Sequence, residues 1–189
     1  MAPSLFSRTR NAAEPEFTPE PWPEIGETWK PEGVIVSQRY LGLAGAVVLV
    51  YTADAGGNGT YYAVACLGCP FLTRSEGRDD YLSEQAGGRI ANAHAGECRA
   101  LSRDLPTRPD DDAARGIVRR RLHSERRSDC STTVYLTDFH LDRLALQRST
   151  EWIEEELQRL ADEQPEFLTA KPRTYGTGTE FTILSFPKS

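Results

Sequence analysis

Tyr61-Tyr62-Ala63-Val64-Ala65-Cys66-Leu67-Gly68-Cys69 and His94-Ala95-Gly96-Glu97-Cys98 decide how this chain is read. The first stretch is an aromatic and β-branched run of strand type that ends in two cysteines separated by two residues. The second places a histidine and a cysteine four apart, on one face if the segment is helical. Cys-x2-Cys is the spacing of a zinc knuckle, so Cys66, Cys69, His94 and Cys98 together can close a tetrahedral site of three sulfurs and one nitrogen. Three of the four cysteines and one of the three histidines fall into this pattern. A site with four protein donors leaves no position for water, so the expected cofactor is a structural Zn2+ and not a catalytic one. The spacing between pairs, Pro70 to Ala93, is 24 residues, longer than the roughly 12 of a compact finger.

Outward from the knuckle, Val34-Ile35-Val36 and Ala46-Val47-Val48-Leu49-Val50-Tyr51 supply further buried-strand runs. Ala55-Gly56-Gly57-Asn58-Gly59 breaks the pattern, so residues 45–65 predict a β-hairpin whose second strand delivers Cys66 and Cys69. Gly68 is expected to supply a positive φ between the two thiols. Ser75-Glu76-Gly77-Arg78 predicts a turn and Asp79-Asp80 a cap. Gly87-Gly88 reads as a break, which starts the ligand helix near Arg89 and runs it to Leu101, with Ile90, Ala93, His94, Cys98 and Leu101 on one face. Gly96 weakens that helix by about 1 kcal/mol relative to Ala, so a bound metal would support it.

Beyond Leu105-Pro106, Asp110-Asp111-Asp112 marks the start of a helix through Arg127, since acids favour the positive end of the macrodipole. Its apolar stripe is Ala114, Ile117, Val118 and Leu122; Arg115, Arg119, Arg120, Arg121, Arg126 and Arg127 cover much of the rest. A strand over 131–137 follows. Ser149-Thr150 caps a helix to Glu163 that turns Ile153, Leu157, Leu160 and Ala161 to a core and Glu151, Glu154, Glu155 and Glu156 mostly to water. Pro165 ends it, Tyr175-Gly176-Thr177-Gly178 turns, and a last strand spans 180–186. The fold class is α+β: a β-hairpin and helix joined by a zinc site, then a small mixed α/β C-terminal segment. Three units follow, 1–32, 33–104 and 105–189. The first holds half of the 12 prolines, interleaved with six glutamates, which predicts an extended or disordered arm. Its Trp22 and Trp29 are candidate partner-binding residues, on the chain's own domain or on another protein.

The formal charge of −6 excludes a protein that coats nucleic acid, and any such contact must be local. The six arginines named above are the candidate residues for it. Yet residues 110–129 set them against five acids, Asp110, Asp111, Asp112, Glu125 and Asp129, and a solvated face with intrahelical pairs explains them equally well. No apolar run reaches the roughly 18–20 residues of a membrane span, and no signal-peptide pattern opens the chain. A cytoplasmic location follows, where cysteines serve as ligands or free thiols.

Rival chemistries are weaker. His123 or Cys130 could replace His94 or Cys98 as a ligand. Disulfide exchange at Cys66-x2-Cys69 would need a helix after the first cysteine, and Pro70-Phe71-Leu72-Thr73-Arg74 is not one. Cys130, Asp138 and His140 make an imaginable triad that nothing in the sequence assembles. Gly176-x-Gly178 lacks the Lys-Ser or Lys-Thr of a phosphate cradle. No enzyme is expected and no small-molecule substrate is implied.

Cys66-Leu67-Gly68-Cys69 together with Ala91-Asn92-Ala93-His94-Ala95-Gly96-Glu97-Cys98-Arg99-Ala100-Leu101 resembles small zinc-finger-like proteins of actinobacteria and their mobile elements, which carry a similar knuckle and a His-Ala-x2-Cys-Arg helix. The resemblance spans about residues 61–101. It implies a zinc module, brings no known reaction and does not reach residues 110–189. The expected function is a non-enzymatic, zinc-stabilised protein-interaction or regulatory adaptor with a protein partner. The alternative is a sequence-tolerant DNA-binding regulator using the zinc module and the Arg115–Arg127 helix.

Overall fold

All seven residues of the strand Val47–Ala53 are buried, which only a central strand covered on both faces achieves. It is β2 of an antiparallel sheet ordered β1-β2-β3-β4, with β1 at Val34–Leu41, β3 at Tyr62–Cys66 and β4 at Leu72–Thr73. The computed structural model describes residues 29–54, 61–73, 82–174 and 176–186. The hairpin turn at 55–59, the turn at 75–78, the Asp79-Asp80 cap, Tyr175, Trp22 and nearly all of the arm fall outside the described residues.

The two faces of this sheet pack against different halves of the chain. Val48, Val50, Val64 and Cys66 meet Ala91, Ala95 and Cys98, the inward residues of helix α1 (Glu84–Glu97) and its cap. Leu49, Tyr51, Ala63 and Ala65 meet Trp29, Leu141 and Leu144 on the other side. Register locks the arrangement, since Val48 lies opposite Cys66 and Tyr51 opposite Ala63, and a one-residue slip would exchange the faces.

Helix α1 begins five residues before the expected Arg89. Ser83 is its N-cap, accepting from the Ala86 N–H at 3.2 Å, and the helix continues through Gly87-Gly88. Those glycines are contact points and not a break: a Cβ on Gly87 would lie 2.9 Å from Val50 Cγ1, and one on Gly88 would lie 2.5 Å from Gln38 Oε1. Close approach to the sheet offsets their low helix propensity. The inward stripe is therefore Gly87, Gly88, Ala91 and Ala95. Ala93 is exposed, Ile90 only half-buried, and Leu101 lies beyond the helix end, contrary to the expected face.

The C-terminal half builds a second core. Helix α2 (Asp111–Glu125) is capped by Asp110, which accepts from Ala113 N–H at 2.8 Å. The expected strand over 131–137 is shorter, because β5 (Thr132–Val134) gives way to a 3-10 helix at Leu136–Phe139. After the short α3 (Arg143–Leu146), α4 (Thr150–Glu163) starts on its Ser149 cap as expected. Strands β6 (Leu168–Pro172) and β7 (Thr179–Ile183) complete a sheet ordered β5-β7-β6. Ala114, Val118, Leu122, Ile153, Leu157, Leu160, Phe167, Leu168, Phe181 and Ile183 fill the core between sheet and helices. Glu156 departs from its expected solvent position: it is buried, and Arg159 and Arg115 pair with it.

The halves meet at the end of β2. Asp54 accepts from Arg143 Nη1 at 3.2 Å and from the Thr150 N–H at 3.3 Å, and Arg143 is completely buried. Gly33 adopts φ +75°, and a Cβ there would lie 1.8 Å from the Arg148 carbonyl. No helix among the described residues is long and apolar enough to cross a membrane.

Candidate metal centre

Strand β3 ends on Cys66, whose N–H donates to the Phe71 carbonyl at 2.9 Å and so folds residues 66–71 into a closed loop. Inside the loop the Gly68 N–H donates to Cys66 Sγ at 3.4 Å, the amide-to-sulfur bond that stabilises a thiolate ligand. Gly68 does not take the positive φ expected of it. Its role is steric: a Cβ would lie 2.4 Å from Ala46 Cβ, 2.7 Å from the Leu101 carbonyl and 2.9 Å from Ala100 Cβ.

The other two donors arrive from α1. His94 stands in its last turn, and Cys98 is the C-cap, with extended backbone and its N–H donating to the His94 carbonyl at 2.8 Å. The helix thus ends at the ligand and does not run on to Leu101, yet the four-residue spacing still turns both donors to one side. Outside the helix, the Leu43 N–H donates to the Cys98 carbonyl at 2.9 Å, and Leu101 bridges Gly45. The β1–β2 turn therefore clasps the segment that carries Cys98.

The donor atoms of Cys66, Cys69, His94 and Cys98 all lie within 4.8 Å of one another. Cys66 Sγ and Cys98 Sγ are 3.8 Å apart, and Cys69 Sγ is 3.4 Å from His94 Nε2. A tetrahedron with Zn–S of about 2.3 Å and Zn–N of about 2.0–2.1 Å has sulfur–sulfur edges of about 3.8 Å and sulfur–nitrogen edges of about 3.5 Å. The two separations match those edges. A disulfide, at about 2.0 Å, is a different arrangement, and all four cysteines are free. Phe71 stacks on the His94 ring, with centroids 3.8 Å apart and planes 11° from parallel, which fixes the imidazole with Nε2 toward the sulfurs.

Electrostatics divide the thiols. Burial pushes the Cys66 thiol up to about 11, against the pull of the Gly68 N–H, whereas the Ala100 N–H lowers Cys98. A divalent cation supplies the charge that lets such closely spaced sulfurs all ionise. The same upward shift runs opposite to what a disulfide-exchange nucleophile needs, and Cys66 sits at a strand end without a following helix.

The other candidate residues lie elsewhere. His123 is exposed and stacks on Phe167 at 4.5 Å at the edge of the second core, and Cys130 is exposed, so neither joins the cluster. Asp138 accepts from the Tyr135 N–H at 2.8 Å as a helix cap, and His140 Nδ1 lies 2.8 Å from the Thr137 carbonyl. Most of the arginines are engaged within the chain. Arg115 pairs with Asp112 and Glu156, Arg119 with Glu163, and Arg121 with Glu125. Arg126 donates to the Leu184 and Ser185 carbonyls and covers the Phe186 ring. Of these six, Arg120 and Arg127 have side chains with neither a hydrogen bond nor an ion pair to another described residue. Trp29 is half-buried on its own sheet, and its carbonyl accepts from Arg39 at 3.1 Å. Sequence reasoning passed over Phe71 and the Gly42–Gly45 clasp. The aromatic two residues after Cys69 was the available signal for the first; the clasp had none.

No protein-family model, curated protein or solved structure matches the chain. The chemistry of the cluster therefore rests on its own donors: three sulfurs and one imidazole, closely spaced, partly buried and able to hold a metal ion.

Proposed function

We propose that Cys66, Cys69, His94 and Cys98 hold a structural zinc ion that staples α1 to the hairpin, and that the chain works as a non-enzymatic protein-interaction or regulatory adaptor. The observation that carries this reading is the convergence of four donors within 4.8 Å of one another, with the Cys66–Cys98 separation of 3.8 Å and the Cys69–His94 separation of 3.4 Å fitting tetrahedral edges. Soft thiolates with one imidazole in tetrahedral array favour Zn2+ over harder, octahedral cations. Four protein donors leave no coordination position for a reacting water, which argues for a structural ion.

Such a staple suits a module whose helix carries three glycines, Gly87, Gly88 and Gly96, and whose sheet ends in a two-residue edge strand. An adaptor role is supported by the net negative charge and by the internal engagement of most arginines on α2. A DNA-binding regulator would have to rely on Arg120, Arg127 and local contacts.

Metal analysis of protein purified without added zinc tests the staple: one zinc per chain is expected, lost in Cys69→Ser and His94→Ala. Zinc-free wild type would defeat it. Titration with random-sequence duplex separates the two roles, because phosphate contacts release counterions and weaken steeply with salt. Little affinity at low salt is expected; tight binding abolished by reversing Arg119, Arg120 and Arg121 would favour the regulator of DNA.

A further inference from the structure

Residues 98–110 run without helix, turn or bend. Their first four are held rigidly: Cys98 is a candidate ligand, its carbonyl accepts from Leu43 N–H, Leu101 bridges Gly45, and Ala100 and Leu101 press on Gly68. In extended chain, alternate side chains point the same way, so Arg99, Leu101 and Arg103 share one side. Leu101 is 73% exposed and Leu43 is 65% exposed, the two highest values among the large apolar side chains described. Arg99 and Arg103 are exposed, and their side chains make no hydrogen bond or ion pair with another described residue. Scattered exposed leucines are ordinary. Here, however, the most exposed one is flanked by two arginines whose side chains have no partner among the described residues, on a segment tied down at Cys98 and Leu101, in a chain of net charge −6.

We propose that residues 99–103 form a docking strip for an extended acidic segment of a partner protein, with one apolar residue between two carboxylates at two-residue intervals. Laid beside the strip, that segment sets a carboxylate opposite each of Arg99 and Arg103 and its apolar side chain against Leu101. Cross-strand pairing of opposite charges and apolar groups provides selectivity. The inference rests on the protein-interaction reading above and names the chemistry of its partner. Nucleic acid suits the strip less well, since phosphates would satisfy the arginines and leave Leu101 in water.

The probe is a fluorescent peptide, Ser-Glu-Thr-Leu-Thr-Glu-Ser, titrated by anisotropy into the full chain at low salt, with zinc measured on the same samples. Leu101→Ser and Arg99→Glu/Arg103→Glu alter only exposed side chains, so both should keep their zinc. The wild type is expected to bind the probe, with a loss of about tenfold or more in each variant and with a peptide carrying Gln for Glu. Zinc-loaded wild type that fails to bind, or binding indifferent to both variants, overturns the strip while leaving the staple intact. Stronger binding of a random oligonucleotide, lost in the same variants, overturns it in favour of phosphate. Glu20-Pro21-Trp22-Pro23-Glu24 carries the same spacing, outside the described residues. Probe binding that appears only after Glu20→Lys and Glu24→Lys would assign the strip to this chain's own segment and overturn the partner. Zinc-free protein that still binds would defeat the staple and leave the strip standing.

Discussion

Gly68 and Gly96 show how differently one residue type can act within 30 residues of sequence. A Cβ on Gly68 meets Ala46, Ala100 and the Leu101 carbonyl, all closer than 3.0 Å, whereas one on Gly96 meets nothing within 4 Å. Gly68→Ala should lower stability by about 1–3 kcal/mol through overpacking and speed metal release. Gly96→Ala should raise stability by up to about 1 kcal/mol, because it only improves helix propensity. Thermal denaturation of the zinc-loaded proteins checks both; equal effects would mean that the knuckle is not clasped as described. The ligands themselves were legible from spacing, since two pairs with chelating intervals announce their chemistry. The reason for Gly68 was not: its neighbours Ala46, Ala100 and Leu101 are distant in sequence on one side or the other, and only the folded chain brings them to it.

Among the elements, the start of α1 was misread because Gly87-Gly88 carries two meanings that local sequence cannot separate. A glycine pair breaks a lone helix, but it also lets a helix lie close on a sheet, and Val50 and Gln38 on β2 and β1 decide for the second. Similarly, Thr132-Thr133-Val134 has strand propensity, but the Asp138 carboxylate captures the Tyr135 N–H and begins a 3-10 turn. Strand β6 was missed because Leu168 to Pro172 is short and ends in proline, and its identity comes from pairing with β7. Helix α4 was read correctly from its cap and stripe, except at Glu156. That carboxylate lies between Arg115 and Arg159 and is almost fully buried. Glu156→Gln removes the buried counter-charge that the two share, leaving only the more exposed Asp112 and Glu163, and should destabilise the chain by about 1–3 kcal/mol. Urea denaturation checks it; a change within about 0.5 kcal/mol, typical of a surface site, would contradict the pairing.

Across the whole molecule, the contact between the two halves combines a hydrogen-bonded joint with buried polar atoms that lack partners among the described residues. Asp54, Arg143 and Thr150 bind one another, whereas the Tyr51 hydroxyl and Asp142 Oδ2 are buried without a hydrogen-bond partner among the described residues. Burial raises the Asp142 carboxyl above its ordinary value, although Arg121, His140 and Arg120 pull it down. A carboxyl raised in the folded state favours folding when protonated, and that advantage is lost as pH rises through the folded value. Asp142→Asn should therefore be more stable than wild type at neutral pH, with the difference shrinking as the pH falls through the raised value. Denaturation midpoints from pH 3 to pH 8 check the sign; a gain that grows toward acid would contradict it.

None of this joint was legible beforehand, because Tyr51 and Asp142 belong to different halves and neither carries a motif. The sharing of α and β elements between an N-terminal sheet with its helix and a C-terminal mixed segment was legible, since each half has its own hydrophobic pattern. What holds the first half together is the central claim, and the local structure around the metal tests it most directly. X-ray absorption at the zinc edge, on full-length protein purified without added zinc, should show three sulfurs at about 2.3 Å and one nitrogen at about 2.0–2.1 Å. A shell of oxygen and nitrogen alone, or protein that carries no zinc, would contradict it.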